Sequence, residues 1–156
     1  MLDFSVCYFC EIVYGEFWDM NGKYILMAED NPINAEITRQ HLTELGFEID
    51  HGENGKIALE KFMDSKEGHY AACVLDIMMP EMDGLETARK IRESTRTDKD
   101  IPIIAVTANS FAVHSQAVAD SGINRCIVKP FSRNEFAASI NELLKDNFDV
   151  SDNKEE

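Results

Sequence analysis

The sequence predicts an α/β protein: a flavodoxin-like, doubly wound (βα)5 sandwich around a parallel five-stranded sheet of order 2-1-3-4-5. Three observations carry that expectation. Short apolar runs of strand length recur along the chain, such as KYILMA from Lys23, AACVL from Ala71 and PIIAV from Pro102. Helical segments alternate with these runs and are punctuated by Asn31-Pro32, Gly46, Gly122 and the pair Ser132 and Glu135. Isolated polar residues stand where the runs end: Glu29-Asp30, Asp76, Thr107 and Lys129.

Taken in order, residues 1–22 differ from the rest. They hold six of the fourteen aromatic residues. Phe4, Val6, Tyr8, Cys10, Ile12 and Tyr14 alternate as a strand would, yet Val6, Phe9, Val13 and Phe17 also fit one face of a helix. The segment is an N-terminal extension or linker that ends at the Asn21-Gly22 turn. The first strand spans Lys23 to Ala28. Asn31-Pro32 then opens a helix whose apolar positions are Ile33, Ile37, Leu42 and Leu45. A second strand covers Phe47 to Asp50. Asn54 to Met63 form the second helix, with Ile57, Ala58, Leu59 and Phe62 apolar. The third strand runs from Tyr70 to Leu75 and delivers Asp76 to a loop broken by Pro80 and Gly84. Leu85 to Arg92 make a third helix, and the charged stretch Glu93 to Asp100 a loop.

The fourth strand, Pro102 to Val106, ends at Thr107. Ser110 to Ser121 read as a helix of weak apolar periodicity. Ile123 to Val128 form the fifth strand, ending at Lys129-Pro130. Ser132 and Glu135 make a capping box for a last helix, with Phe136, Ile140, Leu143 and Leu144 inward. The globular unit is expected over 23–147, followed by a disordered acidic tail at 148–156.

Composition bounds the function. The chain has 156 residues, 44% of them hydrophobic and 28% charged, enough for one domain with a real core. Its net charge of −14 argues against nucleic-acid binding, which needs a basic face, and suits the handling of cations or basic partners. No run is long enough to insert in a membrane and no signal peptide is evident, so the cytoplasm is the expected setting. Cys73 and Cys126 fall in strands and read as inert, buried packing residues. Cys7 and Cys10 form a lone CxxC without a second ligand pair.

In a sheet of order 2-1-3-4-5 the carboxyl ends of strands 1 and 3 are neighbours, which gathers Glu29, Asp30 and Asp76. Three converging carboxylates do not all stay ionised without a cation, and oxygen-only ligation favours Mg²⁺. The hydroxyl of Thr107 and the ammonium of Lys129, from strands 4 and 5, would complete what a phosphoryl group needs, with a carboxylate as nucleophile. Rival α/β chemistries lack their signatures. There is no GxxxxGK[ST] loop and no GxGxxG after the first strand. A haloacid-dehalogenase-type phosphatase would carry a second aspartate at the position of Met78.

With these residues in view, 23–145 resemble the receiver domains of bacterial two-component response regulators. The matching stretches are ILMAEDNPINAEI, HGENGKIALEKF, VLDIMMPEMDGLETARKIR, IPIIAVTAN and VKPF. The resemblance implies that Asp76 accepts a phosphoryl group from a histidine kinase or a histidine phosphotransfer domain. It implies that Asp30, Asp76 and the backbone carbonyl of Met78 bind Mg²⁺, with Glu29 assisting through water. Thr107 and Lys129 would contact the phosphoryl group, and the fourth helix, fifth strand and fifth helix would form the responsive and possible homodimer face. Such a domain is a signalling switch rather than a turnover enzyme. The wording of the first two stretches is most similar to receivers of hybrid sensor kinases, and a fragment of such a kinase is the alternative. A phosphorylation-independent interaction module is the alternative of another class. Two departures stand out. Cys126 replaces the family's usual aromatic, and Glu29 a more common aspartate; separately, Met78, two residues after Asp76, is expected to shield the phosphoryl group from water.

Overall fold

Apolar runs whose side chains are hidden on both sides demand cover from both sides, and the chain supplies it. The computed structural model describes residues 23–151. Its strands are Tyr24–Ala28 (β1), Glu48–Gly52 (β2), Tyr70–Asp76 (β3), Ile103–Thr107 (β4) and Arg125–Val128 (β5). They form one parallel sheet of order β2-β1-β3-β4-β5, as expected. The helices are Pro32–Glu44 (α1), Gly55–Asp64 (α2), Gly84–Glu93 (α3), Gln116–Asp120 (α4) and Arg133–Ser151 (α5).

Alternation along the strands divides the core. Ile25, Val74 and Ile104 pack with Leu42 of α1 and with Phe136 and Ile140 of α5. Leu26, Leu75 and Ile103 pack with Phe62 of α2 and with Ala88 and Ile91 of α3. Each large aliphatic or aromatic side chain buried fully in this way contributes on the order of 1.5–3 kcal/mol. A third, thinner cluster of Ile77, Ala105 and Val118 lies beneath α4, with Cys126 and Ala112 at its margin.

Register places the site. Ala28 pairs with both Gly52 and Leu75, Asp76 with Val106, and Thr107 with Val128. Backbone bonds carry the sheet one residue past the strands: Glu29 N–H to the Gly52 carbonyl, Ile77 N–H to Val106, and Lys129 N–H to Thr107. All the polar strand ends therefore emerge at one edge.

Several expectations are corrected. In α1 the buried stripe is Ala35, Thr38 and Leu42, while Ile33 is 70% exposed and Ile37 is exposed too. Small residues let that face lie close to the sheet, whereas reading by side-chain size selected the wrong face. The single helix expected over Ser110–Ser121 is two pieces, a 3₁₀ turn at Ser110–His114 and then α4. Between them Ser115 is extended, and its hydroxyl caps the Val118 N–H, an alternative to continuing the helix. Helix α5 runs to Ser151, into the segment expected to be a disordered tail. Once its capping box is formed and its apolar face is packed, each further residue adds a hydrogen bond for little cost. Cys126 is only partly buried, whereas Cys73 is fully buried with its thiol pushed up to about 12.

The charged loop after α3 is better anchored than its composition suggests. Arg96 lies over the Phe62 ring, pairs with Asp98 and donates to the carbonyls of Met63 and Ser65. Arg92 donates to the carbonyls of Lys99, Ile101 and Gly122. The extension 1–22, including Cys7 and Cys10, and residues 152–156 lie outside the described residues. No helix among the described residues is long and apolar enough to cross a membrane.

Candidate functional site

Glu29 follows β1 directly, and the turn that leads into α1 fixes its side chain. Its Oε1 accepts the Asn31 N–H at 3.1 Å, while Asn31 Oδ1 caps the helix by accepting from the N–H groups of Ile33 and Asn34. Asp76 ends β3. Its Oδ1 accepts the Met78 N–H at 3.1 Å. Gly84 starts α3 so close to this strand end that an added Cβ would lie 2.3 Å from the Asp76 carbonyl oxygen. A side chain there would push the strand end and the helix apart.

Lys129 comes from the opposite side of the sheet. Its Nζ is 2.6 Å from Glu29 Oε2 and 3.1 Å from Asp76 Oδ2. One oxygen each from Glu29, Asp30 and Asp76 lie within 4.8 Å of one another. Glu29 and Asp76 are buried, and Asp30 is exposed. Thr107 is fully buried, and its Oγ1 accepts the Asn109 N–H at 3.1 Å.

Electrostatics follow from that geometry. Burial pushes the Glu29 carboxyl up and outweighs the hydrogen bond from Lys129 that opposes it. Burial works against the charged form of Lys129, but the carboxylates of Glu29 and Asp76 prevail and hold its pKa above the usual lysine value. Three carboxylates and one ammonium leave the cluster short of positive charge. Hard oxygen donors, one of them open to solvent, suit a divalent cation that keeps some of its water.

The structure brings Glu29, Asp30, Asp76 and Lys129 together, while Thr107 ends the neighbouring strand β4 with its hydroxyl on the Asn109 N–H. Met78 contributes its backbone beside Asp76, but its side chain is 75% exposed, so the expected shield over the phosphoryl position finds no support. The sequence pattern also gave no notice of His51, whose Nε2 lies 2.8 Å from the Glu29 carbonyl oxygen. Its only signal is its place at the end of β2, beside β1.

A parallel α/β sandwich with an acidic cluster, a hydroxyl and a lysine at its carboxyl edge defines a class of switch-like α/β domains. The family model for the response regulator receiver domain matches residues 25–141, and the chain belongs to that family. It is 38% identical over 123 residues to hybrid signal transduction histidine kinase L of Dictyostelium discoideum. That match covers 78% of this chain and 7% of the kinase, so the chain spans a small part of that relative's length. Among solved structures it is similar to the response regulator TrrA of Thermotoga maritima, in complex with Mg²⁺-BeF. There the identity is 36% and the TM-score 0.68, covering 78% of this chain and 98% of that one. It is also similar to the receiver domain of a sensor histidine kinase of Pseudomonas aeruginosa PAO1 with magnesium coordinated in the active-site cleft. In that case the identity is 29% and the TM-score 0.71, covering 80% and 98%.

Proposed function

We propose that Asp76 accepts a phosphoryl group from the phosphohistidine of a histidine kinase or a histidine phosphotransfer domain. An Asp76 carboxylate oxygen forms the new P–O bond as the P–N bond to the donor imidazole breaks. The bonding pair stays with the ring, which takes a proton from solvent. The observation that carries this reading is the Lys129 ammonium reaching both Glu29 and Asp76 at the sheet's carboxyl edge.

Each residue has a role in it. Asp30, Asp76 and the Met78 carbonyl would hold Mg²⁺, with Glu29 acting through water. When bound, the ion supplies positive charge against the equatorial oxygens of the phosphoryl group. Lys129 moves its ammonium onto one of those oxygens, and Thr107 offers its hydroxyl to another. The residues present fit the ion, since each of the three acids offers one oxygen and these oxygens lie within 4.8 Å of one another.

The domain acts as a stoichiometric acceptor that helps its own labelling and its own loss of phosphate. The unit we propose runs from 23 to the end of α5, in a cytoplasmic setting that accords with the free thiols of Cys73 and Cys126. The thin packing under α4 supports α4, β5 and α5 as the face that responds, and through which a second copy would pair. The likeness to the Dictyostelium hybrid kinase favours a second setting for the same site, as a receiver within a hybrid sensor kinase.

The test is metal dependence. With acetyl phosphate as donor, removing Mg²⁺ by a chelator is expected to slow labelling about 10²-fold, the scale of losing several kcal/mol of charge stabilisation. Labelling that is indifferent to Mg²⁺ would sink this assignment. Absence of labelling under any condition would favour an interaction module that works without phosphate.

A further inference from the structure

We propose that Gly55 is a positioning residue for the metal. Because it has no side chain, the first turn of α2 docks on the Met82 carbonyl and fixes the β3–α3 loop that carries Met78. This rests on the Mg²⁺ site proposed above.

The loop, residues 77–83, is anchored by packing at Ile77 and Met79 and by the Asp83 cap at its end, and between these points it is held by backbone bonds. At its start Ile77 N–H bonds to Val106, and Gly84 N–H closes its base on the Ile77 carbonyl at 3.0 Å. In the middle, Met82 N–H bonds to the Pro80 carbonyl, and Glu81 takes a left-handed φ of 66°. A non-glycine residue in that region is held by its surroundings rather than by preference. The side chain of Met78 is mostly exposed, so packing does little to anchor it. Its N–H is tied to Asp76 Oδ1 at 3.1 Å, and the position of its carbonyl depends further on the backbone bonds that hold the rest of the loop.

At the loop's far end one such bond comes from another element. Gly55 N–H donates to the Met82 carbonyl at 3.2 Å. Asn54 sets the direction of that N–H, because its side chain caps α2 by accepting the Ile57 N–H. In the first turn of α3, Thr87 is fully buried and donates its hydroxyl to the Asp83 carbonyl at 2.8 Å. A Cβ on Gly55 would lie 2.1 Å from Thr87 Oγ1 and 2.4 Å from the Met82 carbonyl oxygen. The first contact involves a side chain and is relieved by truncating it. The second involves backbone, and it yields only if the loop moves.

The experiment measures Mg²⁺ binding by calorimetry on the full chain, with circular dichroism to confirm folding. Gly55→Ala is expected to bind Mg²⁺ about tenfold or more weakly than the parent, the range seen when groups that orient metal ligands are altered. Leu42→Ala, a destabilising change in α1 away from the loop, is expected to leave the affinity within about twofold. Combining Gly55→Ala with Thr87→Ala relieves the side-chain clash but leaves the Met82 carbonyl in the way, so affinity is expected to stay low. If Gly55→Ala alone does not fold, this double variant carries the test. A folded Gly55→Ala with the parent's affinity overturns the inference, as does a double variant that regains it. A parent that binds no Mg²⁺ overturns the metal site itself. A parent that binds Mg²⁺ and labels, beside a Gly55→Ala that binds equally well, overturns the role of Gly55 alone.

Discussion

Asp76→Asn is expected to abolish phosphate incorporation from acetyl phosphate and Mg²⁺ while the protein stays folded. An amide oxygen is too weak a nucleophile to form the acyl phosphate, so mass spectrometry should find the parent labelled and the variant bare. The three acids at this edge are not equivalent. Glu29 has one oxygen on the Asn31 N–H and the other on Lys129. Asp30 is exposed and sits at the rim. Asp76 ends the central strand, buried, with Oδ1 held by the Met78 N–H and Oδ2 facing Lys129. Glu29 is held in the same way, so what sets Asp76 apart is its place at the end of β3, between the acids that follow β1 and the Thr107 and Lys129 side of the sheet. The substitution keeps the side chain's shape and an oxygen for the Met78 N–H, so unfolding is not the expected cause of failure. A variant that labels as well as the parent would move the acceptor to another residue.

Lys129→Ala is expected to destabilise the Mg²⁺-free protein by about 3 kcal/mol, the scale of leaving a buried charge without its partner. For a domain of this size that is a fall in melting temperature of roughly 10 °C. Mg²⁺ should then raise the variant's melting temperature more than the parent's, since the ion would replace the lost positive charge. The effect has a defined pH range. The Glu29 carboxyl is held above its ordinary value by burial, so its ionisation costs stability as pH rises through the usual glutamate range. Without Lys129 that cost grows. Lys129 is itself held above the ordinary lysine value, so the stability it lends is fully present below that value and is lost as pH rises through its folded pKa. The gap between parent and variant should therefore be wider at pH 8 than at pH 4 and close again in strong alkali. A gap that does not change with pH or Mg²⁺ would mean that Lys129 acts through packing of its stem alone.

Local pattern carries much of this fold. Runs such as AACVL and PIIAV are too apolar to lie anywhere but inside a sheet, and the polar residues that end them mark the edge where loops begin. The capping box of Ser132 and Glu135 is a pattern of four consecutive residues, and it forms as read. Local pattern failed where two options had similar local merit. In α1 the large residues Ile33 and Ile37 compete with a small-residue stripe. The stripe wins because a helix must lie against this sheet at a set distance, which only the assembled layers impose. The same holds for Arg96, whose worth depends on Phe62, Met63 and Ser65 being brought beside it.

By itself, the sequence determined that Glu29, Asp30, Asp76, Thr107 and Lys129 would each stand at a strand end. That follows from hydrophobic burial, which forbids an unpaired charge within the strand and so displaces it to the end. Only the tertiary structure decided their separations. Lys129 lies 100 residues from Glu29 and 53 from Asp76 along the chain, yet its ammonium touches both. Parallel pairing is non-local, so the register that aligns Asp76 with Val106 and Thr107 with Val128 exists only once all the strands are in place. Nor does any local pattern record that Gly55 N–H would meet the Met82 carbonyl, because that contact is set by how closely α2 and α3 pack on the finished sheet.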